Sequence, residues 1–266
     1  MIIKELIDKY QRQGFFRDRA ESLTAQEIII KKIASSPLRT KILLKGGVVM
    51  YNVTKNKRRT TQDIDFDLIS FDIHSKESIL KLLDILSKAE PICSLSLIEE
   101  PKQLNQDDYK GVRLFVSLFD EDSSITTKLD IGIHTLFTIE QNCVAFSFGV
   151  NENGVVVNIN PYEQILSEKL YSLAKHQELT TRYKDIFDIY YLVKNKPLNI
   201  IVIRDCLTLL SSKKRWTIEH IVQTVVLTLS NSSFVEKIKT SKANWVNEDV
   251  NEVIDTIIDY LVTYFL

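Results

Sequence analysis

Asp63, Asp65 and Asp67 recur at every second position and alternate with Ile64, Phe66 and Leu68. In a strand, that alternation puts the carboxylates on one face and the apolar residues on the other, with successive carboxylate Cβ atoms about 7 Å apart. Two such carboxylates can converge on one or two divalent cations. Upstream, Ile42-Leu43-Leu44 reads as a short buried strand, Gly46-Gly47 as a turn without side chains, and Val48-Val49-Met50-Tyr51 as the start of a helix. A chain with only seven glycines that sets two together after a strand brings backbone amides close to something. Amides at a helix start favour an anion, and phosphate is the commonest one. Cation and phosphate together describe a metal-dependent phosphoryl-transfer site. The plainer account is a half-buried edge strand with a solvated acidic face. Asp is depleted in strands and like charges side by side repel unless screened, so three aspartates shortly after a Gly-Gly turn, with Arg58 and Arg59 between, favour the functional account.

The elements around this stretch follow from hydrophobic spacing. Ile3, Leu6, Ile7 and Tyr10 lie at helical spacing, and Thr24 to Ile33 repeats the pattern with Thr24 as N-cap. Ser75 to Ala89 carries Ile79, Leu82, Leu83 and Leu86 and stops before Pro91. Residues Gly111 to Phe119 form a strand, Asp120 to Ser124 a turn, and Ile125 to Ile133 the returning strand, in which Lys128 and Asp130 oppose Leu129, Ile131 and Ile133. Asp130 is a candidate third carboxylate, or an exposed strand aspartate. A helix between strands implies a mixed sheet backed by helices, an α+β fold.

Asn160-Pro161 opens a helix to about His176, with Asn160 as N-cap, and a domain boundary falls here: 1–159, then a helical region over 160–266. Lys169 flanks that helix's apolar stripe, where a lysine usually snorkels to the surface. In the next helix, Thr181 to Lys194, the pairs Arg182/Asp185 and Lys184/Asp188 have the spacing of exposed ion pairs worth a few tenths of a kcal/mol. Helices follow over Ile200 to Leu210, Thr217 to Leu229 and Glu248 to Phe265. Lys213-Lys214-Arg215-Trp216 and the segment from Lys237 to Trp245 lie between them. Basic residues beside tryptophan suit either an RNA backbone or an ordinary solvated loop.

Composition sets limits. A chain of 266 residues with net charge −1 buries a real core, and any nucleic-acid binding must come from local patches and not from a globally basic surface. Cys93, Cys143 and Cys206, like His74, His134, His176 and His220, are scattered, which argues against structural zinc and a disulfide framework and suits a reducing cytosol. The amphipathic start lacks a signal-peptide core, and the apolar tail from Val253 to Leu266 is broken by Asp255 and Asp259, so the expectation is a soluble cytoplasmic protein.

Leu-Lys-Gly-Gly at 44–47 followed by Arg-x-Thr-x-Asp-Ile-Asp-Phe at 59–66 resembles the signature of the AbiEii/MenT nucleotidyltransferases, toxins of type IV toxin–antitoxin systems in the polymerase-β-like superfamily. Asp130 in Leu-Asp-Ile, Glu168-Lys169-Leu170 and Arg182-x-Lys184-Asp185-x-x-Asp188 are similar to the family's later motifs. The resemblance implies a nucleotidyltransferase-like mixed sheet flanked by helices, with a helical C-terminal domain completing the active site. It implies transfer of a nucleoside monophosphate from an NTP to an acceptor hydroxyl with release of pyrophosphate; some members act on tRNA 3′ ends. By the same resemblance, Asp63, Asp65 and Asp130 hold one or two Mg²⁺ ions, and Lys169 and Asp185 act in catalysis. Lys45, Gly46, Gly47, Arg59, Thr61, Arg182 and Lys184 bind the nucleotide. A nearby gene for an antitoxin would be the expected partner, and no membrane is involved. The residues alone leave open a small-molecule or protein acceptor, and a non-catalytic nucleotide-binding protein.

Overall fold

The computed structural model describes residues 2–69, 73, 75–90, 93–106, 109–133, 141–148 and 154–266; Pro91, His74 and His134 lie outside them. The chain divides into two compact units, Met1–Asn160 and Pro161–Leu266.

The first unit opens with α1 (Ile2–Arg12) and α2 (Arg17–Ser35), then β1 (Ile42–Lys45), α3 (Gly46–Thr54), β2 (Ile64–Leu68) and α4 (Lys76–Ala89). Six more strands follow: β3 (Ser94–Leu97), β4 (Lys102–Gln106), β5 (Tyr109–Phe119), β6 (Ser124–Ile133), β7 (Asn142–Phe146) and β8 (Val155–Ile159). They make one mixed sheet in the order β3-β5-β6-β2-β1-β8-β7, with β4 paired to β5. Strand β2 sits at its centre, antiparallel to β1 and parallel to β6. The mixed sheet and its flanking helices are the fold that the sequence implies.

One face of the sheet is the core. Ile64, Phe66, Leu129 and Ile131 are wholly or almost wholly buried, as are Leu114 and Val116 on β5, and α2 packs on β6, β8 and α4. Burying each such side chain contributes roughly 1.5–3 kcal/mol. Lys32 of α2 is itself buried, and its Nζ donates to the carbonyls of Ser87 and Glu90, acceptors at the end of α4 that lack a following helical turn. Burial pushes the Lys32 amine below its ordinary range. Thr24 is not an N-cap: it is buried inside α2, which begins at Arg17. The apolar stripe continues upstream through Ala20 and Leu23, and Arg17 pairs with Glu21, so the helix gains two further turns that override the capping signal.

The second unit is α5 (Tyr162–His176), α6 (Tyr183–Asn195), α7 (Ile200–Ser211), α8 (Ile218–Ser230), α9 (Ser232–Thr240) and α10 (Val250–Phe265). Here too two expectations are corrected. Asn160 does not cap α5, where Pro161 takes the N-cap position; its N–H donates to the Leu44 carbonyl and its Nδ2 to Asp67 Oδ2, which extends β8 alongside β1. The stretch from Lys237 is not a loop throughout, because Asn231 caps α9 by accepting from the Phe234 N–H and α9 buries Phe234 and Ile238. No helix of the described residues is long and apolar enough to cross a membrane.

Asp120, in the β5–β6 turn, accepts from the Ile3 N–H at 3.0 Å and so caps α1 from across the sheet. Burial raises the Asp120 carboxyl, but the N–H groups of Ile3, Asp122 and Ser123 hold it down at about 2. Its folded-state pKa is therefore depressed, so the stabilisation is present above the ordinary 3.8 and is lost as pH falls through about 2. Asp120→Asn should lower stability at neutral pH, and the gap to wild type should close as denaturant melts are repeated between those two pH values.

Candidate active site

The site is built on the other face of the sheet, beginning with β1 and β2. Register pairs Lys45 with Asp65, and Asp65 with Asp130. Across the β5–β6 hairpin, Asp130 faces Arg113. Register partners share a face about 4.8 Å apart, so Lys45, Asp65, Asp130 and Arg113 form one charged row across four strands. The two acids are in the middle and the two cations outside. Each of the four is half-buried, in contrast to the closed apolar face.

Gly46 and Gly47 do not form a separate turn; they are the first residues of α3. Gly46 has φ +67°, and a Cβ there would strike Asp65 Oδ2 and stand 3.2 Å from its Cγ. A Cβ on Gly47 would lie 2.8 Å from the Thr61 Cβ. The two missing side chains thus admit the Asp65 carboxylate and the Thr61 side chain against the helix start, where amides lack helical partners and the dipole favours negative charge. Thr61 is braced from behind, its carbonyl accepting from Gln26 Nε2 at 2.8 Å.

The carboxylates are held differently. Asp130 is gripped by a two-pronged guanidinium, Arg113 Nε and Nη2 each at 2.8 Å, which raises the Arg113 pKa further, with Asp63 and Asp65 adding to the effect. Asp63 pairs with Lys128 at 2.8 Å. Asp67 is buried and pairs with Lys45 at 2.6 Å, with Asn160 beside it, so Lys45 reaches along β2 past its register partner Asp65. Arg59 is buried at the end of a 3-10 turn, Lys57–Arg59. The sequence puts Lys128 on the face of Asp130 but marks neither it nor Arg113 as the partner of a particular carboxylate. The hairpin was the available signal, because pairing Phe119 with Ser124 fixes Arg113 opposite Asp130.

The donor set suits a hard cation: Asp65 and Asp130 are side by side, with Asp63 one pleat away. Among the described residues no three His, Cys, Asp or Glu side chains are grouped to hold a metal by themselves. Mg²⁺ commonly takes one or two carboxylates and fills its octahedron with water and substrate phosphates, and such a set fits that habit.

In the second unit, Lys169 does not snorkel. It is buried, and its Nζ bonds Asp185 and, at 2.9 Å, the fully buried Asp188. Asp185 and Asp188 thus both converge on Lys169 of the neighbouring helix. Asp185 lies in the first turn of α6, where the dipole favours a carboxylate, and Arg182 stands at the N-cap position with Lys184 half-buried behind it.

Gly46→Ala should lose about 1–2 kcal/mol of stability through the positive φ and should displace the Asp65 carboxylate. A thermal melt showing a folded but less stable protein, together with a steep loss of activity, is the expected outcome. Undiminished activity would show that the close approach does not matter.

Comparison with known proteins bears on the family and the fold. The family model described as nucleotidyl transferase AbiEii toxin, type IV TA system, matches residues 28–254. Among curated proteins, none matches the sequence. Of solved structures, the fold is similar to that of MenT4, a nucleotidyltransferase toxin from Mycobacterium tuberculosis, with TM-score 0.52 and 12% identity over 93% of this chain and 94% of that one. It is also similar to a protein from Helicobacter pylori assigned as a nucleotidyltransferase, with TM-score 0.50 and 18% identity over 94% of this chain and 96% of that one. At such identities the likeness is one of fold. The family match spans most of the sequence, and the chain belongs to the AbiEii nucleotidyltransferase toxin family of type IV toxin–antitoxin systems.

Proposed function

We propose that the protein is a Mg²⁺-dependent enzyme of the cytoplasm that moves a nucleoside monophosphate from an NTP to the 3′ end of tRNA, and that a cognate antitoxin restrains it. The observation that carries this reading is the charged row Lys45–Asp65–Asp130–Arg113 beside the Gly46-Gly47 helix start.

In the reaction, the acceptor hydroxyl oxygen attacks the α-phosphorus, the bond from that phosphorus to the bridging oxygen breaks, and pyrophosphate leaves with the electron pair. Bound Mg²⁺ supplies Lewis-acid charge to the phosphates and lowers the pKa of the attacking hydroxyl. Asp65 and Asp130, with Asp63, hold it. The amides of Gly46 and Gly47 cradle phosphate oxygens, and Thr61, seated on Gly47, donates to one. Lys45 and Arg59 supply positive charge toward the leaving pyrophosphate. Asp67 sets the position of Lys45 by its ion pair. Lys169 and Asp185 enter the reaction by the family resemblance, and Arg182 and Lys184 bind nucleotide on the same ground.

The tRNA acceptor draws support from the second unit. Burial, and then the charges of Lys175, Arg182 and Lys214, hold His176 below its ordinary pKa, so each of these cations lies within electrostatic reach of that ring. Lys214 Nζ stands 4.8 Å over the Trp216 ring, which packs on Tyr171 and His220. Clustered cations with an aromatic platform are what a single-stranded RNA end requires.

Wild type incubated with Mg²⁺, total tRNA and each α-labelled NTP in turn should label tRNA with one or more nucleotides. Asp63→Asn combined with Asp65→Asn should lose the labelling by at least about a hundredfold, the scale on which removal of groups that stabilise transition-state charge is felt. Neutralising Lys213, Lys214 and Arg215 should weaken tRNA binding and flatten its salt dependence. Label in a protein or a small molecule, with none in tRNA, would replace the acceptor.

A further inference from the structure

On the acidic face Asp67, Asp130 and Asp63 pair with Lys45, Arg113 and Lys128, and these counter-ions are not equivalent. Lys45 is enclosed with a buried aspartate, and Arg113 grips Asp130 through two hydrogen bonds. Lys128 differs. It meets Asp63 through one contact of 2.8 Å, and the two side chains are 23% and 43% exposed. It stands on β6 one residue before the Ile64–Leu129 register pair, on the face opposite to those two, and two before Asp130, whose face it shares. An ammonium on a flexible four-carbon stem, held once and reached by solvent, is cheap to detach, because water screens the pair and fixing the side chain costs it rotamer freedom.

We propose that Lys128 is an exchangeable counter-ion of the active site: it occupies Asp63 while the site is empty and passes to the polyphosphate when nucleotide and metal arrive. This rests on the reading above in which Asp65 and Asp130, with Asp63, hold the metal. A divalent ion outcompetes a single ammonium for Asp63, and the released ammonium then lies beside the most anionic part of the substrate. The exchange keeps the local charge near balance in both states. No unpaired ammonium is left beside the bound metal, and no unpaired carboxylate is left in the empty site. It also makes an opposite-sign prediction, because Lys128 opposes metal binding and favours polyphosphate binding.

The experiment uses the full chain with Lys128→Gln and Lys128→Arg. Free Mn²⁺ is counted by electron paramagnetic resonance without nucleotide, and binding of Mg·tripolyphosphate is measured by calorimetry in excess Mg²⁺. Lys128→Gln should bind Mn²⁺ more tightly, by roughly threefold or more, and Mg·tripolyphosphate more weakly by a similar factor, as removal of one half-exposed charge requires. Lys128→Arg should restore both. If Lys128→Gln weakens both ligands together, the residue is only a structural prop, and if neither constant moves there is no exchange; either result overturns the inference. Asp65→Asn separates this from the reading beneath it. Mn²⁺ binding that Asp65→Asn leaves undiminished refutes the metal assignment itself, and the exchange falls with it.

Discussion

The site depends on one close approach, the Asp65 carboxylate against the Cα of Gly46. Strand β2 runs beside β1 with Asp65 opposite Lys45, and the chain turns into α3 at the next residue. Any side chain at Gly46 would occupy the space of that carboxylate, and the positive φ there excludes most of them independently. Once the approach is fixed, the rest follows from sheet geometry. The helix start is held over the acid row, Thr61 settles against Gly47, and Asp130 comes alongside Asp65 because β2 and β6 are parallel and in register.

The same geometry creates an electrostatic problem, since adjacent carboxylates in a sheet repel. The fold answers with cations at the margins. Arg113 fixes Asp130 by its fork, Lys45 is fixed by buried Asp67, and Lys128 lies on Asp63. The strongly held cations orient the acids, whereas the weakly held one can leave. The middle of the row, where Asp65 and Asp130 stand side by side, is the place where added positive charge relieves the most repulsion. In the helical unit, buried Lys169 meets both Asp185 and Asp188. Removing either partner of the buried Lys169–Asp188 pair costs about 3–5 kcal/mol, so it holds α5 to α6 whatever else these residues do.

Much of this is legible in sequence where the signal is local. The alternation of Asp63, Asp65 and Asp67 with apolar residues, the paired glycines and the helix over Lys76–Ala89 all rest on period-two, turn or period-3.6 patterns contained in a few residues. What escaped depends on partners far along the chain. Arg113 acquires meaning only from Asp130 across the hairpin. Asn160 has the look of a cap but is drawn into the sheet by Leu44 and Asp67, and Lys169 has the look of a surface lysine until α6 brings two aspartates to it. Thr24 failed for a related reason, because the buried stripe of α2 extends past a residue that would otherwise start the helix. Lys45 was legible as a cation near phosphate but not as the partner of Asp67.

The central claim is that Asp65 and Asp130 together receive the catalytic metal beside the Gly46-Gly47 helix start. Anomalous diffraction from crystals grown with Mn²⁺ and a non-hydrolysable NTP tests it most directly. The account predicts a manganese peak with carboxylate oxygens of both Asp65 and Asp130 at about 2.1 Å, in an octahedron completed by water and phosphate. A well-occupied nucleotide whose metal contacts neither aspartate would contradict it.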